Sequence, residues 1–118
     1  MLSLSPTVRM FLCCQPTDMR KSFDGLCALT KQVLKQDPLC GHLFIFINRR
    51  RDRIKLLYWM GDGLAIWYKR LEKGTFQLVR QGSDEQASAE ISASQLSLIL
   101  DGIDLHSVKR RPRYRRPA

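Results

Sequence analysis

The residues best suited to chemistry are cations. Arg49, Arg50, Arg51, Arg53 and Lys55 lie within seven positions, interrupted by Asp52 and Ile54. A guanidinium is a planar fork of donors that holds phosphate oxygens through two parallel hydrogen bonds, so this spacing points to polyanion contact. Downstream, Tyr58-Trp59 and Trp67-Tyr68-Lys69-Arg70, followed by Lys73, interleave rings with charge. Such a surface suits nucleic acid, because rings stack on bases while cations take the backbone. Lys109, Arg110, Arg111, Arg113, Arg115 and Arg116 place six positive charges in the last ten residues, with no acid among them. An arm of this kind binds phosphates without reading sequence, and its affinity falls steeply with salt.

Catalytic patterns are weak by comparison. Metal-assisted phosphoryl transfer needs two or three converging carboxylates. The acids here (Asp18, Asp24, Asp37, Asp52, Asp62 and Glu72 ahead of a polar loop cluster) are scattered over caps and turns. Cys40 and His42 would share a strand face, but no third group orients the pair. A small nuclease built on Asp18, Asp24 or Asp52 stays a minor alternative. The four cysteines include no pair with a two-residue spacer, so they read as small buried hydrophobes rather than zinc ligands. No phosphate-cradling glycine loop is present. The sequence therefore predicts a protein that is not an enzyme and uses no cofactor or metal.

Composition agrees with binding rather than catalysis. The chain has 118 residues and a formal net charge of +9. Removing the six cations of the last ten residues leaves +3 for residues 1–108. A surplus this large favours a polyanionic partner, nucleic acid before an anionic membrane surface. At 44% apolar residues the chain can bury a core. Its apolar runs are far shorter than the ~20 residues a membrane span needs, and Pro6 and Arg9 interrupt the N-terminal stretch that a secretory signal would use. The expectation is a cytoplasmic protein with no membrane partner.

The elements that must carry these residues are as follows. Residues 1–7 read as a flexible leader, 8–108 as a single α+β domain and 109–118 as a disordered basic tail. Val8 to Cys14 reads as a strand with Val8, Met10 and Leu12 on one face. Thr17 or Asp18 can cap a long helix running from Met19 to about Gln36. Its apolar stripe is Phe23, Leu26, Thr30, Val33 and Leu34, and Gly25 suggests a close approach. Strands over Leu43–Asn48, Ile54–Met60 and Leu64–Leu71 follow, the last two joined by the tight turn Gly61-Asp62-Gly63, which would bring their aromatics opposite one another. Thr75–Val79 reads as a further strand and residues 80–90 as a loop. Ser92 with Gln95 has the form of a capping box opening a short C-terminal helix that carries Leu96, Ile99 and Leu100 and stops at Gly102. The fold class is α+β: an antiparallel meander of four to five strands, one long packed helix and the short C-terminal helix. Both faces of the central strands are apolar, so a second helix or a partner must cover the face the long helix leaves open.

The residues also resemble a known family. Asp18-Met19-Arg20-Lys21-Ser22-Phe23-Asp24-Gly25-Leu26 is similar to a stretch that usually has glycine at the position of Ser22. Gly41 to Phe46, Asn48 to Trp59 and Trp67 to Phe76 resemble further blocks of the same family. It is the accessory protein encoded by the second open reading frame (TnpB type) of insertion-sequence-sixty-six bacterial transposable elements. The resemblance covers roughly residues 8–105. It implies a non-catalytic, nucleoid-associated bacterial helper beside a larger transposase that carries the strand-transfer chemistry. Leu78-Val79-Arg80 departs from the family's ending.

Together these readings predict an accessory protein of DNA transposition. It would bind DNA phosphates through Arg49, Arg50, Arg51, Arg53, Lys55, Lys69, Arg70, Lys73 and the basic tail, assisting the transposase at the element ends. These contacts position rather than specify, apart from a base contact by Asn48. The alternative is a protein-interaction module that docks the transposase or a second copy of the chain through an aromatic sheet face formed by Tyr58, Trp59, Trp67 and Tyr68.

Overall fold

The computed structural model describes residues 7–77 and 86–101. Within them the order is β1 (Met10–Cys13), α1 (Phe23–Gln32), β2 (Leu43–Ile47), β3 (Arg53–Trp59), β4 (Leu64–Arg70), β5 (Ser88–Ile91) and α2 (Ala93–Asp101). The strands form one sheet in the order β4-β3-β2-β1-β5. The leader, the end of the expected strand at Val79, the Gly102 stop and the basic tail fall largely or wholly outside the described residues.

The sheet is mixed, which corrects the expected antiparallel meander. β1 runs parallel to β2, with Phe11 opposite Phe44, while the β2–β3, β3–β4 and β1–β5 pairs are antiparallel. The reason is the helix between the first two strands. A strand, a crossover helix and a second strand return the chain to the same end of the sheet, so the two strands run the same way. β1 and β2 are buried along their whole length, as strands covered on both faces must be.

Two layers of side chains result. Phe11, Cys13, Phe44, Phe46 and Leu57 pack with Leu26 and Leu34 on the α1 face. Met10, Leu12, Leu43, Ile45, Ile47, Ile54, Leu56 and Ile91 pack with Leu96 and Ile99 on the α2 face, closed by Leu71 and Phe76. The covering element that the sequence demanded is therefore α2 together with the segment after β4. Phe76 forms no strand; it is fully buried and its N–H donates to the Arg51 carbonyl at 2.6 Å. Burying such a ring stabilises by roughly 2–3 kcal/mol.

α1 is shorter than its periodicity suggests. Residues 18–21 form a turn instead of a first helical turn, with the amides of Arg20 and Lys21 donating to Asp18. At the other end Lys35 takes a left-handed φ of 56° and stops the helix. Leu26, Thr30 and Leu34 are buried as expected, but Phe23 keeps 43% of its surface exposed. At Gly25 the nearest neighbour is Lys21: a Cβ there would lie 3.0 Å from the Lys21 Cβ, so the glycine makes room for that side chain. The expected capping box forms at α2, where the Ser92 amide donates to Gln95 Oε1 and the Gln95 amide to Ser92 Oγ.

Residues 88–90, expected in a loop, belong to strand β5. Ala89 and Ile91 are buried and Glu90 is exposed, so the segment alternates, but only over four residues. Among the described residues no helix is long and apolar enough to cross a membrane.

Candidate nucleic-acid interface

The β2–β3 connection is a braced loop. Asn48 accepts from the amides of Asp52 (3.1 Å) and Arg53 (3.0 Å) through Oδ1, and its Nδ2 donates to Asp52 Oδ1 at 2.7 Å. The Asn48 backbone accepts from Arg51 N, and its N–H donates to the Arg53 carbonyl. Asn48 is thus the hub of the turn, and its amide is committed to the loop rather than free to read a base. Arg51 adopts a left-handed φ of 61°, a conformation that L side chains rarely take. A second brace comes from below, where Leu71 N donates to the Asp52 carbonyl at 2.7 Å and Phe76 N to that of Arg51.

On this base Arg49 and Arg50 are exposed, and Arg51 and Arg53 are half-buried. None of the four is in an ion pair among the described residues; the pairs present are Arg9–Glu90, Arg20–Asp18 and Arg70–Glu72. The one carboxylate inside the loop, Asp52, is turned to Asn48. Among the described residues, therefore, no acid forms an ion pair with these four guanidinium groups.

The loop forms one wall of a cleft of about 460 Å³. Thr17 to Arg20 form the other, tied to the sheet by Thr17 N donating to the Ile47 carbonyl at 2.9 Å. Arg20 thereby joins Arg49, Arg50 and Arg53, a neighbour the sequence reading did not assign. Its signal was only the Asp18-x-Arg20 spacing. The Arg20 guanidinium holds the Asp18 carboxyl down to about 2, chiefly through their hydrogen bonds, so that acid stays ionised and paired.

Lys55 differs from its neighbours. It is buried, and its Nζ donates to the carbonyls of Met19 at 2.9 Å and Lys21 at 2.7 Å, with the Tyr68 ring centroid 4.7 Å away. This removes Lys55 from the phosphate-facing set and makes it the post on which the 18–21 turn rests. Lys69 and Lys73 are exposed and border a separate concavity of about 330 Å³ that also contains Glu72 and Asp101. Arg70 is exposed and pairs with Glu72 at 2.9 Å. The cations Lys109, Arg110, Arg111, Arg113, Arg115 and Arg116 lie outside the described residues.

The aromatics do not share a face. Tyr58 and Trp67 pack against the α2-side core. Trp59 and Tyr68 point to the α1 side, as the contact of Tyr68 with Lys55 and strand alternation require. Nor do they face each other across the hairpin: Trp59 is opposite Leu64, Tyr58 opposite Ala65, Trp67 opposite Leu56 and Tyr68 opposite Lys55.

The remaining candidate groups do not assemble into a site among the described residues. His42 Nδ1 accepts from the Arg9 amide, and its ring lies 5.8 Å from that of Phe11. Cys13 is buried, Cys14 and Cys27 are half-buried, and burial pushes all three thiols up. Cys40 is exposed, against the expectation of four buried hydrophobes. Among the described residues no three His, Cys, Asp or Glu side chains converge as metal ligands.

The pattern of IS66 Orf2-like proteins matches residues 8–110, which takes in both walls of the cleft, the hairpin and both helices. The chain belongs to the IS66 Orf2-like family. That family is one of transposition-associated accessory proteins. Similar sequences include two uncharacterized proteins of Sinorhizobium fredii (strain NBRC 101917 / NGR234). One, y4jC, is 36% identical over 114 residues, covering 95% of this chain and 93% of its own. The other, y4hO, is 38% identical over 104 residues, covering 88% of each. No solved structure matches the chain.

Proposed function

We propose that this IS66 Orf2-like protein is a non-catalytic, DNA-binding accessory subunit of transposition. It holds backbone phosphates at the arginine loop and cleft and acts beside the transposase of the same element at the element ends. One observation carries the reading: Arg49, Arg50, Arg51 and Arg53 stand on a loop braced by Asn48 and by residues 71–76, without an ion pair among the described residues. A rigid base reduces the ordering entropy that flexible cations lose when they bind. Arg20, Arg70, Lys69 and Lys73 extend the positive surface, and the basic tail adds to it from outside the described region. Contacts of this kind fix position on the backbone and leave sequence choice to another subunit.

The docking alternative has less support, since Tyr58 and Trp67 lie on one side of the sheet and Trp59 and Tyr68 on the other. Fluorescence titration of labelled terminal-repeat and random duplexes, at two salt concentrations, tests the proposal. Both duplexes should bind, more weakly at the higher salt. Absence of salt-sensitive binding to either overturns it.

A further inference from the structure

Tyr68 combines three properties that phosphate contact alone does not require. It is a large ring on an edge strand of the described sheet with 48% of its surface in solvent. It is held from the protein side by a buried ammonium, 4.7 Å from its centroid. It also adjoins the cleft from two directions. Lys55 ties it to the 18–21 turn, which carries Arg20. On the sheet, Arg53 of the cleft and Arg70 are cross-strand partners on the α1 face, and Tyr68 is the next residue of β4 on that face.

The Arg53–Arg70 pair is unusual for a sheet. Like charges directly opposite one another on neighbouring strands destabilise it. Glu72 engages Arg70 through Nε and Nη2, but Arg53 has no acid among the described residues. An anion between the two guanidinium groups removes the repulsion.

We infer that Arg53, Arg70 and Tyr68 form a single-strand subsite: a phosphate sits between the two guanidinium groups and an adjacent base stacks on the Tyr68 ring. The inference rests on the proposed DNA binding and names the form of DNA this corner of the surface takes. In a duplex the base faces are already stacked on one another, so an exposed ring offers a duplex nothing. An unpaired strand gains a stacking partner for any base, without regard to sequence.

Anisotropy titrations at one low salt concentration decide it, using a labelled unpaired DNA oligonucleotide and the duplex of the same sequence. Wild-type protein should bind the unpaired strand more tightly. Tyr68→Leu should weaken that binding about tenfold, the loss of one stacked base, and leave duplex binding within about twofold. Tyr68→Trp should retain the preference. Equal wild-type affinity for the two forms overturns the inference, and so does an equal loss for both in Tyr68→Leu. Because the wild-type comparison stands alone, a leucine variant that fails to fold does not prevent a decision. Salt-sensitive duplex binding without single-strand preference defeats the subsite and leaves the DNA-binding reading intact; no binding to either form defeats both.

Discussion

Lys55 and Tyr68 face each other across β3 and β4, with the lysine ammonium 4.7 Å from the ring centroid and bonded to the Met19 and Lys21 carbonyls. One buried cation thus joins the sheet, the exposed ring and the turn before α1. Lys55→Met keeps the stem and removes the charge. It leaves two carbonyls without their donor and the ring without its cation, so stability should fall by roughly 2–3 kcal/mol. Urea unfolding measures this as a lower midpoint at unchanged slope; an unaltered midpoint would show that the turn does not depend on the ammonium.

The arginine loop separates conformational from electrostatic effects. Asn48→Ala removes three side-chain hydrogen bonds and should destabilise by roughly 1–3 kcal/mol. Arg51→Gly relieves the left-handed φ, so it should be neutral or stabilising by up to ~1 kcal/mol, although it deletes a charge. Thermal melts of the two variants should therefore move in different ways. A large loss in Arg51→Gly would mean that the side chain makes packing contacts that outweigh the backbone relief.

Asp18 gives a pH signature. Its carboxyl titrates at about 2 in the folded chain, against 3.8 for the ordinary group, because Arg20 bonds to the ionised form. Between those values the unfolded chain binds more protons, so the pair's contribution is complete above about pH 4 and is lost as pH falls toward 2. Both partners are exposed to solvent, so the effect is small. Melting temperatures of wild type and Asp18→Asn should converge as pH drops through this window, with the difference greatest above it. A constant difference down to pH 2 contradicts the pairing.

Replacing Arg49 and Arg50 together by alanine should lower DNA affinity and flatten its dependence on salt. Every phosphate that a side chain neutralises contributes about 0.9 to the slope of log K against log salt for duplex DNA, so the slope of the double variant should be shallower by about 2. Titrations at four or five salt concentrations measure the slope. A reduced affinity with an unchanged slope would mean that these arginines do not touch phosphates.

Glu72→Gln should act in the opposite direction. It frees the Arg70 guanidinium from its 2.9 Å pair. Exposed pairs of this kind are weak, so an unpaired DNA strand should bind about two- to fivefold more tightly. Weaker binding would indicate that Glu72 positions Arg70 for the DNA.

Local features of the fold were legible because they are written in short sequence intervals. The Ser92–Gln95 cap, the Gly61–Gly63 turn and the two core faces of the hairpin follow from spacing alone. What failed depends on tertiary pairing. The parallel β1–β2 contact is visible only once the helix is treated as a crossover, and β5 is too short and polar to announce itself before β1 supplies a neighbour. The candidate cleft was legible in part. Charge density located Arg49 to Arg53, but nothing local distinguishes Lys55 from them. Its burial comes from strand alternation, which turns it under the 18–21 turn, and the same long-range closure brings Arg20 into the cleft.

β5 also has a bearing on synthesis. It is the outer neighbour of β1, pairing Met10 with Ile91 and Cys13 with Ser88. Until β5 is made, β1 beside β2 keeps one edge of unpaired backbone N–H and C=O groups, and β5 is complete only when almost the whole described chain has left the ribosome. At roughly 5–20 residues per second, that interval lasts several seconds. Premature termination before Ser88 would make the exposure permanent, yielding a fragment with a bare strand border open to self-association.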